Sequence, residues 1–129
     1  MVEIGIAQLL AETTAVTDLL GTRIYPVTLP VDALVLPALT YQVVGGSPEY
    51  AFDGSVVGIK RIQMDCWSNR YLDGKNAQLA IMQALIPFTG VLPNAYIVLS
   101  ISQGAELDDF ESDSRIYRYM VEFLVEFSF

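Results

Sequence analysis

The chain has 129 residues, enough for one domain (1–129) with a core of its own and too few for two. Its hydrophobic content of 53% and mean hydropathy of +0.42 exceed those of an average soluble domain, so apolar side chains must be buried inside or covered where subunits meet. Lys and Arg number 7 against 15 Asp and Glu, for a net charge of -8 that repels nucleic acid and anionic membranes, and the absence of histidine removes Ser-His-Asp catalysis and histidine metal ligands.

At the N-terminus Ile6, Leu9 and Leu10, then Val16, Leu19 and Leu20, recur at helical spacing. Thr13 and Thr14 are poor helix-interior residues, so the spacing predicts a break there and a restart with Thr14 as N-cap. Glu3 stands where a signal peptide carries basic residues, and no cleavage pattern follows, so the chain is expected to be cytosolic where it is made. Gly21 suits a helix end, and Arg23-Ile24-Tyr25 begins an extended segment that Pro26 and Pro30 confine to a sheet edge or loop. Residues 27–36 read as a loop lying over the surface.

Ala38 to Val44 alternates as a strand, with Leu39, Tyr41 and Val43 on one side, and Gly45-Gly46-Ser47-Pro48 is expected to end it. The connection over 45–58, carrying Tyr50 and Phe52, is then long for a hairpin, where about two to five residues are usual. Such a connection is either a free hairpin tip or a contact with a partner. From Lys60 to Trp67, Ile62, Met64 and Cys66 alternate with Arg61, Gln63 and Asp65, so the sole cysteine falls on the core face as a small hydrophobe. Ser68 and Asn69 turn the chain into a helix whose face is Ala77, Ala80, Ile81, Ala84 and Leu85, closed by Pro87 and Gly90. This strand-to-helix unit over 60–90 is the scaffold around which the rest is expected to pack. The charge-free run from Asn76 to Ala105 is interrupted by Pro87, Gly90, Pro93 and Asn94, so it is not one membrane-spanning helix.

Ala95 to Ser102 alternates again, with Ile97, Leu99 and Ile101 expected inward. Glu106, Asp108, Asp109, Glu111 and Asp113 follow as an acidic connection. It lacks the sharp-turn glycine and the terminal glutamate of a helix-loop-helix calcium site, so it reads as a solvated loop and no metal is expected. Arg61 and Arg118 have the spacing to pair across strands with Asp65, Glu122 and Glu126, which accounts for these carboxylates without acid–base chemistry. The last strand, Arg115 to Phe127, places Tyr117, Tyr119, Val121, Phe123, Val125 and Phe127 on one face. At ~3.3 Å per residue it would span about 43 Å, longer than the ~36 Å diameter of a compact chain this size, so it should bend sharply or project against a neighbour. The expected fold is α+β, a single antiparallel β-sheet with helices packed on one face. No catalytic residue and no cofactor site emerges, and no enzyme activity is expected.

The order Leu-Leu-Gly-Thr-Arg-Ile-Tyr-Pro (19–26), Leu-Pro-Ala-Leu-Thr-Tyr-Gln (36–42) and Asp53-Gly54 resembles the tail-terminator or tail-completion proteins of long-tailed bacteriophages and prophages. So do Arg61-Ile-Gln-Met-Asp-Cys-Trp-Ser (61–68), followed by Tyr71 and a helix, and the ending Tyr117-Arg118-Tyr119-Met-Val-Glu-Phe (117–123). These pieces keep their order over nearly the whole chain. The resemblance implies a structural role in the virion: a ring, a homo-hexamer, at the head-proximal end of the tail tube, assembled in the bacterial cytoplasm. Its implied partners are the tail tube protein and a head-completion or neck protein, with DNA passing through the lumen without specific binding and no membrane contact. The acidic balance suits such a lumen, because negative walls do not hold a phosphate backbone, and it equally suits solubility before assembly. The subunit or tube interface is expected at Glu49, Tyr50, Phe52 and Asp53 and on the last strand at Phe123 and Phe127. The rival readings are a neck or head-completion adaptor, a small acidic host binding module, and a carboxylate metal hydrolase resting on Asp108 and Asp109.

Overall fold

Two short helices open the chain because Thr13 serves both of them. Its hydroxyl donates to the Leu9 carbonyl at 2.7 Å, closing the first helix, while its own carbonyl accepts from Val16 and Thr17 to start the second. A computed structural model describes residues 1–32, 34–50 and 56–128, with 48–50 and 56 described by backbone alone. Helix α1 (Val2–Ala11) buries Val2, Gly5, Ile6 and Leu10, and α2 (Thr14–Leu20) buries Val16 and Leu20. The N-cap of α2 is Thr13, one residue before the expected Thr14. Gly21, at φ 57°, ends α2 in the left-handed region that glycine adopts at least cost. The Arg23 guanidinium then donates to the carbonyls of Leu19 (3.2 Å) and Pro37 (2.8 Å), tying the end of α2 to the entry of the main hairpin.

Strand β1 (Ile24–Pro26) is an edge strand, where Pro26 removes no hydrogen bond the sheet needs. Residues 27–37 carry the chain back to the end from which β1 set out, so β2 (Ala38–Tyr50) runs parallel to β1, with Ile24 opposite Leu39 and Pro26 opposite Tyr41. The expected purely antiparallel sheet is therefore corrected to a mixed one. Among the described residues it has six strands in the order β1-β2-β3-β6-β5-β4, curled into a half-barrel. Among the described residues the β1–β2 pair is parallel and the other four pairs are antiparallel.

Two strands are longer than the sequence pattern predicts, and a third sits elsewhere in the sheet. β2 does not stop at Gly45: it continues to Tyr50, paired with β3 (Val56–Ser68) up to Tyr50 opposite Val56. A bulge at Val44 shifts the register just before Gly45 and Gly46, which pair with Arg61 and Lys60 and do not break the strand. A Cβ on Gly46 would lie 2.5 Å from the Ile59 carbonyl oxygen, so a side chain there would push the strands apart. Helix α3 (Tyr71–Leu85) and the short β4 (Gly90–Val91) follow. β5 (Ile97–Glu111) runs through the acidic residues expected in a loop. A bulge between Val98 and Ser100 changes its phase, so Val98 and Ile101 point inward while Ile97 and Leu99, expected inside, are exposed. β6 (Ile116–Ser128) neither projects nor lies at an edge: it is paired along nearly its whole length with β3 on one side and β5 on the other.

The helices cover one face of this sheet. Ile6, Leu10, Leu20, Ala77, Ile81 and Leu85 form one core with Leu39, Ile62, Met64, Cys66 and the buried alternation of β6 from Tyr119 to Phe127. Gly74 on α3 lets the Tyr119 ring lie directly against the helix, in space a Cβ would occupy. The other face is polar and internally paired. Arg118 Nε donates to Asp65 Oδ1 at 3.0 Å, Gln63 Nε2 donates to Asp65 Oδ2 at 3.0 Å, and Trp67 Nε1 donates to Thr40 Oγ1 at 2.9 Å. Arg61 reaches Glu122 at 3.9 Å, so Asp65 and Glu122 have the cross-strand partners expected from spacing.

Candidate functional site

β5 is the outer strand of the β5–β6 hairpin, and its second half lies open to solvent. Every residue of β5 from Ser102 to Glu111 is exposed, although its backbone stays paired with β6 to Glu111 opposite Ile116. An aromatic cluster braces the turn end of this hairpin against the start of α3. The Phe110 and Tyr117 rings lie 4.6 Å apart, and Tyr71 meets Tyr117 and Tyr119 edge-on, each at 5.8 Å. The Tyr119 hydroxyl donates to the Tyr71 carbonyl at 3.0 Å, and Lys75 pairs with Asp108 while its ammonium lies 4.8 Å from the Tyr119 ring centre. Desolvation opposes the charge on Lys75, but its hydrogen bond and charge contact with Asp108 outweigh this and raise its pKa. Burial, with Tyr71 and Asp108 nearby, pushes the Tyr119 hydroxyl up to about 12, so it stays a neutral donor at any physiological pH.

The acidic run is thus spread along a strand. Asp108 is held by Lys75, Asp109 accepts from the Phe110 amide at 2.8 Å, and Glu106 accepts from Gln103 at 3.1 Å. Among the described residues no three His, Cys, Asp or Glu side chains converge as a metal site. Burial, with the Asp65 charge second, raises the Cys66 thiol to about 12, the opposite of what a nucleophile needs. Among the described residues no helix is long and apolar enough to cross a membrane.

The interface residues expected from sequence fall in different places. Glu49 and Tyr50 end β2, opposite Val57 and Val56, at the tip end of the first hairpin, and are described by backbone alone. Phe52 and Asp53 lie outside the described residues. Phe123, opposite Ile62, and Phe127, whose ring lies over Gly58, are buried within the chain.

Two further surfaces were not singled out from the sequence. On the β1 side, a groove of about 510 Å³ opens between α1, α2 and the first strands, lined by Ile4, Ala7, Gln8, Ala11, Ile24 and Tyr41 with Thr17, Gly21 and Thr22. Val31, on the loop that follows β1, is 97% exposed. On the β4 side, Val91, Ile97 and Leu99 are 67%, 39% and 46% exposed. The alternation that makes Leu99 look buried hides the second surface, because no sequence period marks a bulge. The groove joins residues from four elements and carries no local signature at all.

Comparison with known proteins supplies the context for these surfaces. No curated protein sequence matches the chain. Among solved structures, a chain of the virion of a native gene transfer agent particle superposes with a TM-score of 0.75 at 13% identity, covering 96% of this chain and 92% of that one, which is a likeness of fold. The family model described as tail completion protein gp17 matches residues 5–126. With that match running from α1 to β6, the chain belongs to the tail completion protein family.

Proposed function

We propose that this protein is a structural subunit of a phage-type tail: a homo-hexameric ring that caps the head-proximal end of the tail tube, stops its elongation and offers a docking surface to the head-completion protein. The observation that carries this reading is the exposed outer strand β5 in a chain of the tail completion family, since ten successive exposed positions on a paired strand are surface open to contact. The long β2–β3 hairpin, with Glu49, Tyr50, Phe52 and Asp53 at its end, faces the tube in this reading, while Phe123 and Phe127 support the sheet behind it. The net charge of -8 lines the ring with negative potential, past which DNA slides without being held.

The test has two arms. The protein should give ring-shaped particles of six-fold subunit mass, in solution or on purified tail ends, and removing its gene should give tails of uncontrolled length. A monomer that stays off tail ends overturns the reading. A protein that decorates capsids but not tails makes it a neck adaptor instead. Tyr50→Ala with Phe52→Ala should weaken binding to tail ends while leaving the urea midpoint unchanged.

A further inference from the structure

A subunit with a net charge of -8 repels its own copies, so contact between copies is favoured where two surfaces meet without opposing carboxylates. Two apolar patches meet that condition, and they lie at opposite edges of the sheet. The first is the groove at the β1 edge: none of its nine lining residues is charged. The second is the β4–β5 edge, inside the charge-free run from Asn76 to Ala105. There β4 pairs only with Ile97 and Val98, so β5 has an open backbone edge from Leu99 onward. Edge strands in free monomers are usually blunted by charge, proline or bulges; the β2 edge carries a bulge and Pro48, and β5 carries bulges at Leu99 and between Gln103 and Glu106. The stretch from Leu99 to Ala105 carries neither charge nor proline.

We propose that the β4–β5 edge of one subunit, through Val91, Ile97 and Leu99, seats in the α1/α2/β1 groove of the next copy. This rests on the ring reading and names the contact that closes it. Opposite, unlike edges make a heterologous head-to-tail junction, the kind that closes into a ring, whereas a patch meeting its own image would stop at a dimer. The groove's volume lies within the ~300–1,000 Å³ of clefts that take up apolar groups, and the edge strand supplies free amides and carbonyls as well as side chains.

The test is a mixing experiment with two blocked variants. Ala7→Arg fills the groove, and Leu99→Arg puts a charge on the edge. Ala11→Arg and Val91→Arg, at exposed positions of the same two surfaces, replace either one that lowers the urea midpoint. Each variant alone should stay monomeric where wild type forms rings. An equimolar mixture retains one good groove and one good edge, and should give a one-to-one dimer and nothing larger. Rings persisting in either single variant, or a mixture that stays monomeric, overturn the junction while leaving the ring reading intact. Persistence of rings in Ala7→Arg with loss of tail binding alone assigns the groove to the tube protein and also overturns it. A wild type that forms no ring in solution or on tails overturns the ring reading and the junction together.

Discussion

β5 and β6 lie side by side, differ by two residues in length and are paired from Ile97 opposite Ser128 to Glu111 opposite Ile116. Their side chains meet different surroundings. β6 has strands on both sides and helices over one face, and buries each alternate residue from Tyr119 to Phe127. β5 has a second strand neighbour only at its first residues, and every residue from Ser102 to Glu111 is exposed. Length alone made β6 look like the projecting strand, because thirteen extended residues exceed the width of a small domain. The curled sheet accommodates that length, and the exposed strand is the one whose acidic second half breaks the apolar alternation.

The difference can be broken most severely by removing the inner strand. Deleting residues 123–129 should abolish folding, seen as loss of dispersed amide resonances, because it opens β3 and β5 together and removes Phe123, Val125 and Phe127 from the core. A folded truncated chain would show that β6 is not central. Phe123→Ala is the point version and should cost about 3–5 kcal/mol in urea unfolding. Gly74→Ala tests the helix cover, since the new methyl must displace the Tyr119 ring; a cost of about 1–3 kcal/mol is expected from overpacking.

Cys66 gives a pH-dependent form of the same test. The buried thiol ionises only near 12, whereas the unfolded thiol ionises near 9.0, so above pH 9 the unfolded state loses a proton the native state keeps. Stability should therefore fall as pH rises, by about 1 kcal/mol at pH 10, and Cys66→Ala should remove that part of the slope. The native thiol should also resist alkylation at pH 8 until urea unfolds the chain. Leu107→Ser, on the exposed half of β5, should change stability by no more than about 0.5 kcal/mol in the same unfolding measurement. A larger loss would place Leu107 in contacts the monomer needs.

Most of the covered half of the molecule is legible in the sequence. Ile62, Met64 and Cys66, and the run from Tyr119 to Phe127, alternate as buried strands do, and Ala77, Ile81 and Leu85 fall on the buried helix face. What escapes sequence reading is set by backbone events without a period. Gly45-Gly46, just after the bulge at Val44, reads as a stop, the extra residue at Leu99 inverts an apparent inward face, and nothing in the sequence marks that β1 pairs parallel to β2. The acidic residues of β5 read as a loop because strand residues with neither face buried lose the alternation that identifies a strand. The proposed contact surfaces belong to the same class. The groove exists only after α1, α2, β1 and β2 have come together, and the β4–β5 edge is exposed only because β4 ends after Val91.

The central place of β6 also bears on how the chain is made. Residues are synthesised from the N-terminus at ~5–20 per second, and every other strand of this sheet leaves the ribosome before residues 116–128 do. Until then β3 and β5 each hold an unpaired inner edge, and Ile62 and Met64 lack the neighbours that complete their burial. The β2–β3 hairpin and α3 can form early, but the sheet closes only when its middle strand arrives. A pause or truncation late in translation would therefore leave an open, apolar intermediate, and chaperone capture of stalled nascent chains should peak before β6 emerges.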